Sequence, residues 1–390
     1  MPMPLPTIPS KLPQVGTTIF TVMSKLANEH GAVNLSQGFP DFEGSPELIQ
    51  LVHHYMQKGM NQYAPMAGVP QLTEQIAHKV QAIYGYLPNA TTDITITAGG
   101  TQALYTALTA ILQPNDEVIV FEPCYDSYQP AIVLNGAKVV PIVLQAPDFA
   151  IPWQKVAAAI TEKTRCIIIN SPHNPSGTIL SAQDLEQLSL LIQDTNIIVL
   201  SDEVYEHLIF DQQQHQSVLR HRSLRERSFV VFSFGKTFHF TGWKVGYCIA
   251  PDYLMREFRK VHQFLVFSVN TPMQHALADY LKNPQSYHYL PNFYQEKRDY
   301  FWDLMQDTPF GGQKSSGTYF QLLDYSGISD LPDTEFAVQL IQQIGVASIP
   351  ISVLYSQQDE QIRQQKILRF CFAKRPETLA KAAKCLRKLL

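Results

Sequence analysis

The chain has no long apolar run. Nothing in its 390 residues approaches the roughly 20 consecutive apolar residues that span a bilayer. Basic blocks and stripes are absent too. With 30 Lys and Arg against 34 Asp and Glu the net charge is −4, which argues against nucleic acid or an anionic membrane as the main partner. The start, Met1-Pro2-Met3-Pro4-Leu5-Pro6, has neither a charged segment nor an apolar core, so no secretory signal is expected. Cysteine is sparse: the five (124, 166, 248, 371, 385) are scattered, and no pair has the spacing of a zinc knuckle or a disulfide framework. Four of them lie in apolar or helical patterns and read as small core residues, as expected in a reducing cytoplasm. Internal repeats and low-complexity segments are missing as well.

What remains is the composition of a globular protein, 45% hydrophobic and 16% charged, with length for two domains. Residues 1 to about 15 are proline-rich and read as extended. Ile19, Phe20, Met23 and Leu26 then share a helical face. The loop Asn34-Leu35-Ser36-Gln37-Gly38-Phe39-Pro40-Asp41-Phe42 is aromatic enough to line something. Ser45-Pro46-Glu47 starts a helix, and another runs from Pro70 to Tyr84.

From Asp93 the rhythm becomes strand–helix. Strands are expected at Ile94–Thr97, Val118–Phe121, Val139–Leu144, Cys166–Asn170, Ile197–Leu200, Phe229–Phe232 and Val245–Ala250. Helices such as Ala182–Gln193 separate most of them. That alternation predicts an α/β fold with a mostly parallel sheet covered on both faces, whose ligands bind beyond the carboxyl ends of the strands. After Pro251 the chain is mainly helical to about Asp307. From Gly317, strands at Tyr319–Leu323, Val346–Ile349 and Ile367–Phe372 mix with helices, predicting a smaller α+β lobe.

The loops beyond these strands carry the chemistry. Gly99-Gly100-Thr101 opens a helix, where backbone amides attract a phosphate or merely begin the helix. Tyr125, after the next strand, stacks on a planar ligand or packs within its loop. Asn174 lies in the rigid stretch Ser171-Pro172-His173-Asn174-Pro175-Ser176-Gly177; it either holds a ligand atom or closes an Asx turn. His173 reads as a surface residue. Asp202, just beyond the apolar run Ile197–Leu200, needs a cationic or N–H partner. Lys236 follows the buried strand Phe229–Phe232 within Ser233-Phe234-Gly235-Lys236-Thr237, with Ser233 and Lys244 spaced to hold a phosphate beside it. Either it is solvated, or burial lowers its pKa as a Schiff-base lysine requires. Arg369, inside Leu368-Arg369-Phe370-Cys371-Phe372, is a structural ion pair or a carboxylate clamp. Falling in order at successive strand ends, these residues fit the pyridoxal phosphate pattern of a lysine and a partner for the ring nitrogen.

These motifs, with Asn61-Gln62-Tyr63, Ser201-Asp202-Glu203-Val204-Tyr205 and Gly242-Trp243-Lys244-Val245-Gly246, resemble the fold-type I, pyridoxal phosphate-dependent aminotransferases of class I/II. The likeness runs from about Leu12 to the C-terminus. It is strongest to the branch of methionine and kynurenine/glutamine aminotransferases, which also carries lysine rather than arginine at the position of Lys244.

The resemblance implies an aspartate aminotransferase-like architecture: an N-terminal segment (1–48) joining the small domain and gating the substrate, a large cofactor domain (49–285) and a small C-terminal domain (286–390). It implies that pyridoxal 5′-phosphate is linked to Lys236, which later moves the substrate proton. Asp202 would face the ring nitrogen, Asn174 and Tyr205 the ring's phenolic oxygen, and Tyr125 the ring face. Gly100, Thr101, Ser233 and Lys244 would hold the phosphate, with Tyr63 from the second subunit of a homodimer. Arg369, helped by Asn174 and Gly38, would clamp the substrate carboxylate. Phe20 and Phe39, with Phe267 of the second subunit, would line the side-chain pocket. The implied reaction moves the amino group of methionine, aromatic amino acids, kynurenine or glutamine to a 2-oxo acid by a ping-pong course. A cysteine-conjugate β-lyase on the same site is the alternative. A pyridoxal phosphate-binding transcriptional regulator is disfavoured, because Lys236 and Arg369 are both present and about 15 residues precede the fold.

Overall fold

The computed structural model describes residues 8–356 and 360–390; of the extended start expected for residues 1 to about 15, residues 1–7 lie outside them. Its strands, in chain order, are β1 (Val33–Asn34), β2 (Ile94–Thr97), β3 (Glu117–Glu122), β4 (Lys138–Val143), β5 (Thr164–Asn170) and β6 (Ile198–Asp202). Then come β7 (Ser228–Ser233), β8 (Gly246–Ile249), β9 (Phe320–Asp324), β10 (Val346–Ala347), β11 (Ile349–Pro350) and β12 (Ile367–Cys371). Seven of them form one sheet in the order β2-β8-β7-β6-β5-β3-β4. All neighbours are parallel except β8, which runs antiparallel to β2 and β7.

The apolar runs of this sheet are continuous because both faces are covered. Side chains alternate along each strand. Ile119, Phe121, Ile167 and Ile169 therefore join one core with Leu72, Ile76 and Val80 of helix Pro70–Tyr84 and Leu185 and Leu188 of helix Ala182–Ile192. Val118, Val120, Cys166 and Ile168 join the other, with Ala103 and Leu104 of helix Gly99–Ile111 and Met255 and Phe258 of helix Asp252–Leu265. The expected helix starts hold: Ser45 caps Pro46–Gln57, and Ser181 with Asp184 forms a capping box. Cys124, Cys166, Cys248 and Cys371 are buried, and Cys385 is half-buried.

Helix Leu290–Met305 leads to a second, three-stranded sheet, β11-β12-β9, antiparallel throughout. The single strand expected at Val346–Ile349 is two. Val346 and Ala347 pair in parallel with β1, whereas Ile349 and Pro350 pair with β12. The cause is Leu35, wedged between the two: its N–H donates to the Ala347 carbonyl (3.0 Å) and its own carbonyl accepts from Cys371 N–H (2.8 Å). The segment entering the aromatic loop is thereby stitched into the smaller sheet.

Candidate active site

The carboxyl ends of β3, β5, β6 and β7 lie along one edge of the large sheet, with Asn170 of β5 beside Asp202 of β6. Because β8 runs the other way, it is its beginning that reaches this edge, and Lys244 arrives there. Two close approaches require glycine. A Cβ on Gly246 would sit 2.6 Å from the Phe232 carbonyl oxygen and 3.1 Å from Gly100 N; its absence lets the start of helix Gly99–Ile111 rest on β8. A Cβ on Gly235 would lie 3.0 Å from Thr241 Cα, so the turn leading to Lys244 packs against the short helix Phe234–Thr237 that holds Lys236. Lys244 itself has φ 53° and ψ 48°, left-handed backbone that a non-glycine residue adopts at a cost.

A cavity of about 270 Å³ opens at this edge. It brings together Phe20, Gly38, Phe39, Gly100, Thr101, Tyr125, Asn174, Asp202, Tyr205, Ser233, Lys236, Lys244 and Arg369. The Lys236 ammonium donates to the Tyr319 hydroxyl (2.9 Å) and the Gly38 carbonyl (3.3 Å). Burial, with Arg369 and Lys244 nearby, pushes its pKa down from 10.5 to about 8. Asp202 is buried, and burial pushes its carboxyl up to about 6 despite the Tyr128 hydroxyl, which donates to it at 2.6 Å. A lysine closer to neutrality and a carboxylate that gains from a cation thus face one cavity.

Arg369 is buried in the middle of β12. One guanidinium nitrogen donates to Asn174 Oδ1 (2.7 Å) and another to the Ser36 carbonyl (3.2 Å), while Nε has no partner among the described residues. The group lies over the Phe320 ring, 3.9 Å from its centroid. Among the described residues no acidic side chain bonds to it, so the ion-pair reading of Arg369 gives way to an arginine with donor capacity to spare. Asn174 is placed by Asn170, whose Oδ1 accepts from Asn174 N–H (2.8 Å) and whose amide donates to the Asp202 carbonyl (2.8 Å).

The model of the family Aminotransferase class I and II matches residues 30–386. The chain belongs to this aminotransferase family. Methionine aminotransferase of Escherichia coli is 53% identical over 386 residues, covering 98% of this chain and 99% of the relative. Kynurenine–oxoglutarate transaminase 1 of Homo sapiens is 33% identical over 93% of this chain and 94% of its own. A crystal structure of an Escherichia coli protein described as having a methionine aminotransferase function superposes with a TM-score of 0.95 at 52% identity, covering 98% and 100% of the two chains.

Three residues singled out in the sequence, Tyr63, Phe267 and His173, stand outside the aminotransferase's cavity. Tyr63 is 82% exposed and meets Phe267 edge to face, with ring centroids 5.3 Å apart. His173 is not a surface residue: it is buried, with Nδ1 2.7 Å from Ser176 Oγ, and burial pushes its pKa down to about 4. Three side chains escaped sequence reasoning. Tyr128 bonds Asp202, Tyr319 bonds Lys236, and Phe320 supports Arg369. For Tyr128, helical spacing from Tyr125 was the available signal. Tyr319 and Phe320 read only as the start of a strand.

Proposed function

We propose that this aminotransferase takes the amino group from methionine and from aromatic donors, kynurenine among them, and passes it to a 2-oxo acid. The observation that carries the donor class is the cavity wall. Phe20, Phe39 and Tyr125 are aromatic, and among the described residues lining the cavity the one guanidinium is that of Arg369. That arginine serves the α-carboxylate and leaves none for an acidic side chain, whereas a thioether or a ring suits aromatic walls. Relatives named for methionine and for kynurenine support the same reading.

The family is pyridoxal phosphate-dependent, and this chain's residues fit that group. The first turn of helix Gly99–Ile111 has no side-chain cap, leaving N–H groups beside Ser233 and Lys244 for a phosphate. Asp202 would face the ring nitrogen, Asn174 and Tyr205 the phenolic oxygen, and Tyr125 the ring face. When bound, the cofactor supplies an aldehyde for Lys236 and a ring that draws electrons from the substrate's α-carbon. The protein's own part is positioning and proton transfer. Arg369 with Asn174 fixes the donor's carboxylate, and the neutral Lys236 amine takes the proton from the donor's α-carbon and would deliver it to the carbon that carried the cofactor's aldehyde. Asp202, kept from water by Tyr128, stays anionic opposite a cation.

Tyr63 and Phe267 act, in this reading, in the cavity of a second copy within a homodimer. The described residues of 1–48 and of 286–390 make up the smaller lobe, with Phe39 at its gate. The buried or half-buried unpaired cysteines suit a cytoplasmic setting. The test is kcat/KM for methionine, phenylalanine, kynurenine, glutamine and aspartate with one 2-oxo acid. Methionine or an aromatic donor should lead. Aspartate leading by a wide margin would sink the proposal.

A further inference from the structure

Tyr319 is fully buried just before β9, and its hydroxyl sits between two groups of the site. On one side is the Gly38 carbonyl, which can only accept; the Tyr205 hydroxyl also meets this oxygen but, unlike the carbonyl, can donate, so the single phenolic proton points to Gly38. On the other side is Lys236 Nζ at 2.9 Å. With its proton committed to Gly38, the Tyr319 oxygen can only accept from the lysine. Gly38 oxygen, 3.3 Å from Nζ, is a second acceptor on the same side. Two of the positions around the lysine nitrogen are thereby taken, and the one left over is held in a fixed direction.

The backbone ensures that Tyr319 cannot drift. Thr318, just before it, has φ 64°, a left-handed conformation that is a genuine outlier for a β-branched residue. It is held there from two sides: Thr318 N–H donates to the Leu208 carbonyl (2.9 Å), and Thr318 Oγ1 accepts from Phe320 N–H (3.0 Å). Phe372 N–H bonds the Tyr319 carbonyl (2.9 Å), and the Tyr205 ring meets the Tyr319 ring edge to face at 5.2 Å. Strain held in place beside a reactive group is what a positioning device looks like. Burial also raises the Tyr319 phenol well above 10.0, so it keeps its proton and is no base itself.

We infer that Tyr319 is a positioning residue for Lys236: whenever the lysine amine is free of covalent attachment, Tyr319 and the Gly38 carbonyl hold it so that its remaining position, lone pair or proton, is aimed in one direction. This rests on the proposed role of Lys236 as the group that moves the substrate's α-proton. It goes further in one respect. Tyr319 directly precedes Phe320, the first residue of β9, which lies under Arg369, so one dipeptide sets both the lysine and the carboxylate clamp.

Tyr319→Phe keeps the ring and removes the acceptor. In the cofactor-free protein, the reactivity of Lys236 toward acetic anhydride is followed across pH by peptide mass spectrometry. Losing an acceptor disfavours the ammonium, so the midpoint should fall by about half to one pH unit. Arg369, Lys244, Cys371 and Asp202, which also face Lys236, are unchanged in this comparison. In the holoenzyme with methionine, kcat should drop about ten-fold or more while KM stays within about two-fold, and the isotope effect of α-deuterated methionine should rise. A merely structural tyrosine would move neither the labelling midpoint nor the isotope effect. An unchanged midpoint with kcat within about two-fold of wild type overturns the inference. Lys236→Ala separates the two claims: if it still transaminates, the role of Lys236 fails, while the labelling midpoint still decides the Tyr319 contact.

Discussion

Lys236 is held at a cost, and the cost can be measured. Its pKa of about 8 in the folded chain lies below the ordinary 10.5, so between those values the unfolded chain binds a proton that the folded one does not. Cofactor-free stability contributed by this group therefore rises with pH through that window, and the penalty is complete below pH 8. Lys236→Met should stabilise the cofactor-free protein at pH 7 by on the order of 1–3 kcal/mol. The advantage should shrink by pH 10. Thermal unfolding of both proteins at the two pH values checks it; an equal difference at both would show that the lysine is not desolvated. Arg369 makes a second prediction. Arg369→Lys keeps the charge but loses the planar fork and its bond to Asn174. KM for every amino donor should rise about ten- to hundred-fold, with kcat less affected. An unchanged KM would leave the carboxylate without its clamp.

Among the elements, the strand ends were legible and the crossings between distant elements were not. Lys236, Asp202 and Asn174 each follow an apolar run that any strand pattern reveals, and the antiparallel course of β8 brings Lys244 to the same edge. Tyr128 and Tyr319 bond Asp202 and Lys236 across 74 and 83 residues, and no local periodicity encodes such pairings. The misreading of His173 has the same origin, since its neighbour in sequence is polar while its surroundings are core. The split at Ser348 likewise depends on Leu35, far away in the chain. One buried network was also invisible. Lys79 of helix Pro70–Tyr84 pairs with Glu206, which also accepts from the Tyr84 hydroxyl. Burial alone would raise the Glu206 pKa, but Lys79 and His207 outweigh it and hold the carboxyl at about 2. Glu206 follows Tyr205 directly, so this network anchors the segment that carries both Asp202 and Tyr205. Lys79→Met should cost about 3–5 kcal/mol, because it leaves a buried carboxylate unpaired. Chemical denaturation reads this directly; a loss below about 1 kcal/mol would mean that Glu206 finds another partner. The Glu206 contribution is present above pH 4.5 and is lost as pH falls toward 2.

At the scale of the whole molecule, the large sheet and the smaller sheet each supply part of one cavity, and Tyr63 and Phe267 lie outside it on the surface. If two copies share their sites, Lys236→Ala and Tyr63→Ala chains that are each impaired should recover activity when unfolded together and refolded as a mixture, since some mixed dimers then hold one intact site. No recovery would mean that Tyr63 does not serve a partner's cavity. The most direct measurement of the central claim is a single half-reaction. The holoenzyme is mixed with methionine and no 2-oxo acid, and the released products are counted. The account predicts about one equivalent of the corresponding 2-oxo acid per site, no free ammonia, and nothing from Lys236→Ala. Continued turnover with ammonia release, or an oxo acid burst that survives Lys236→Ala, would contradict it.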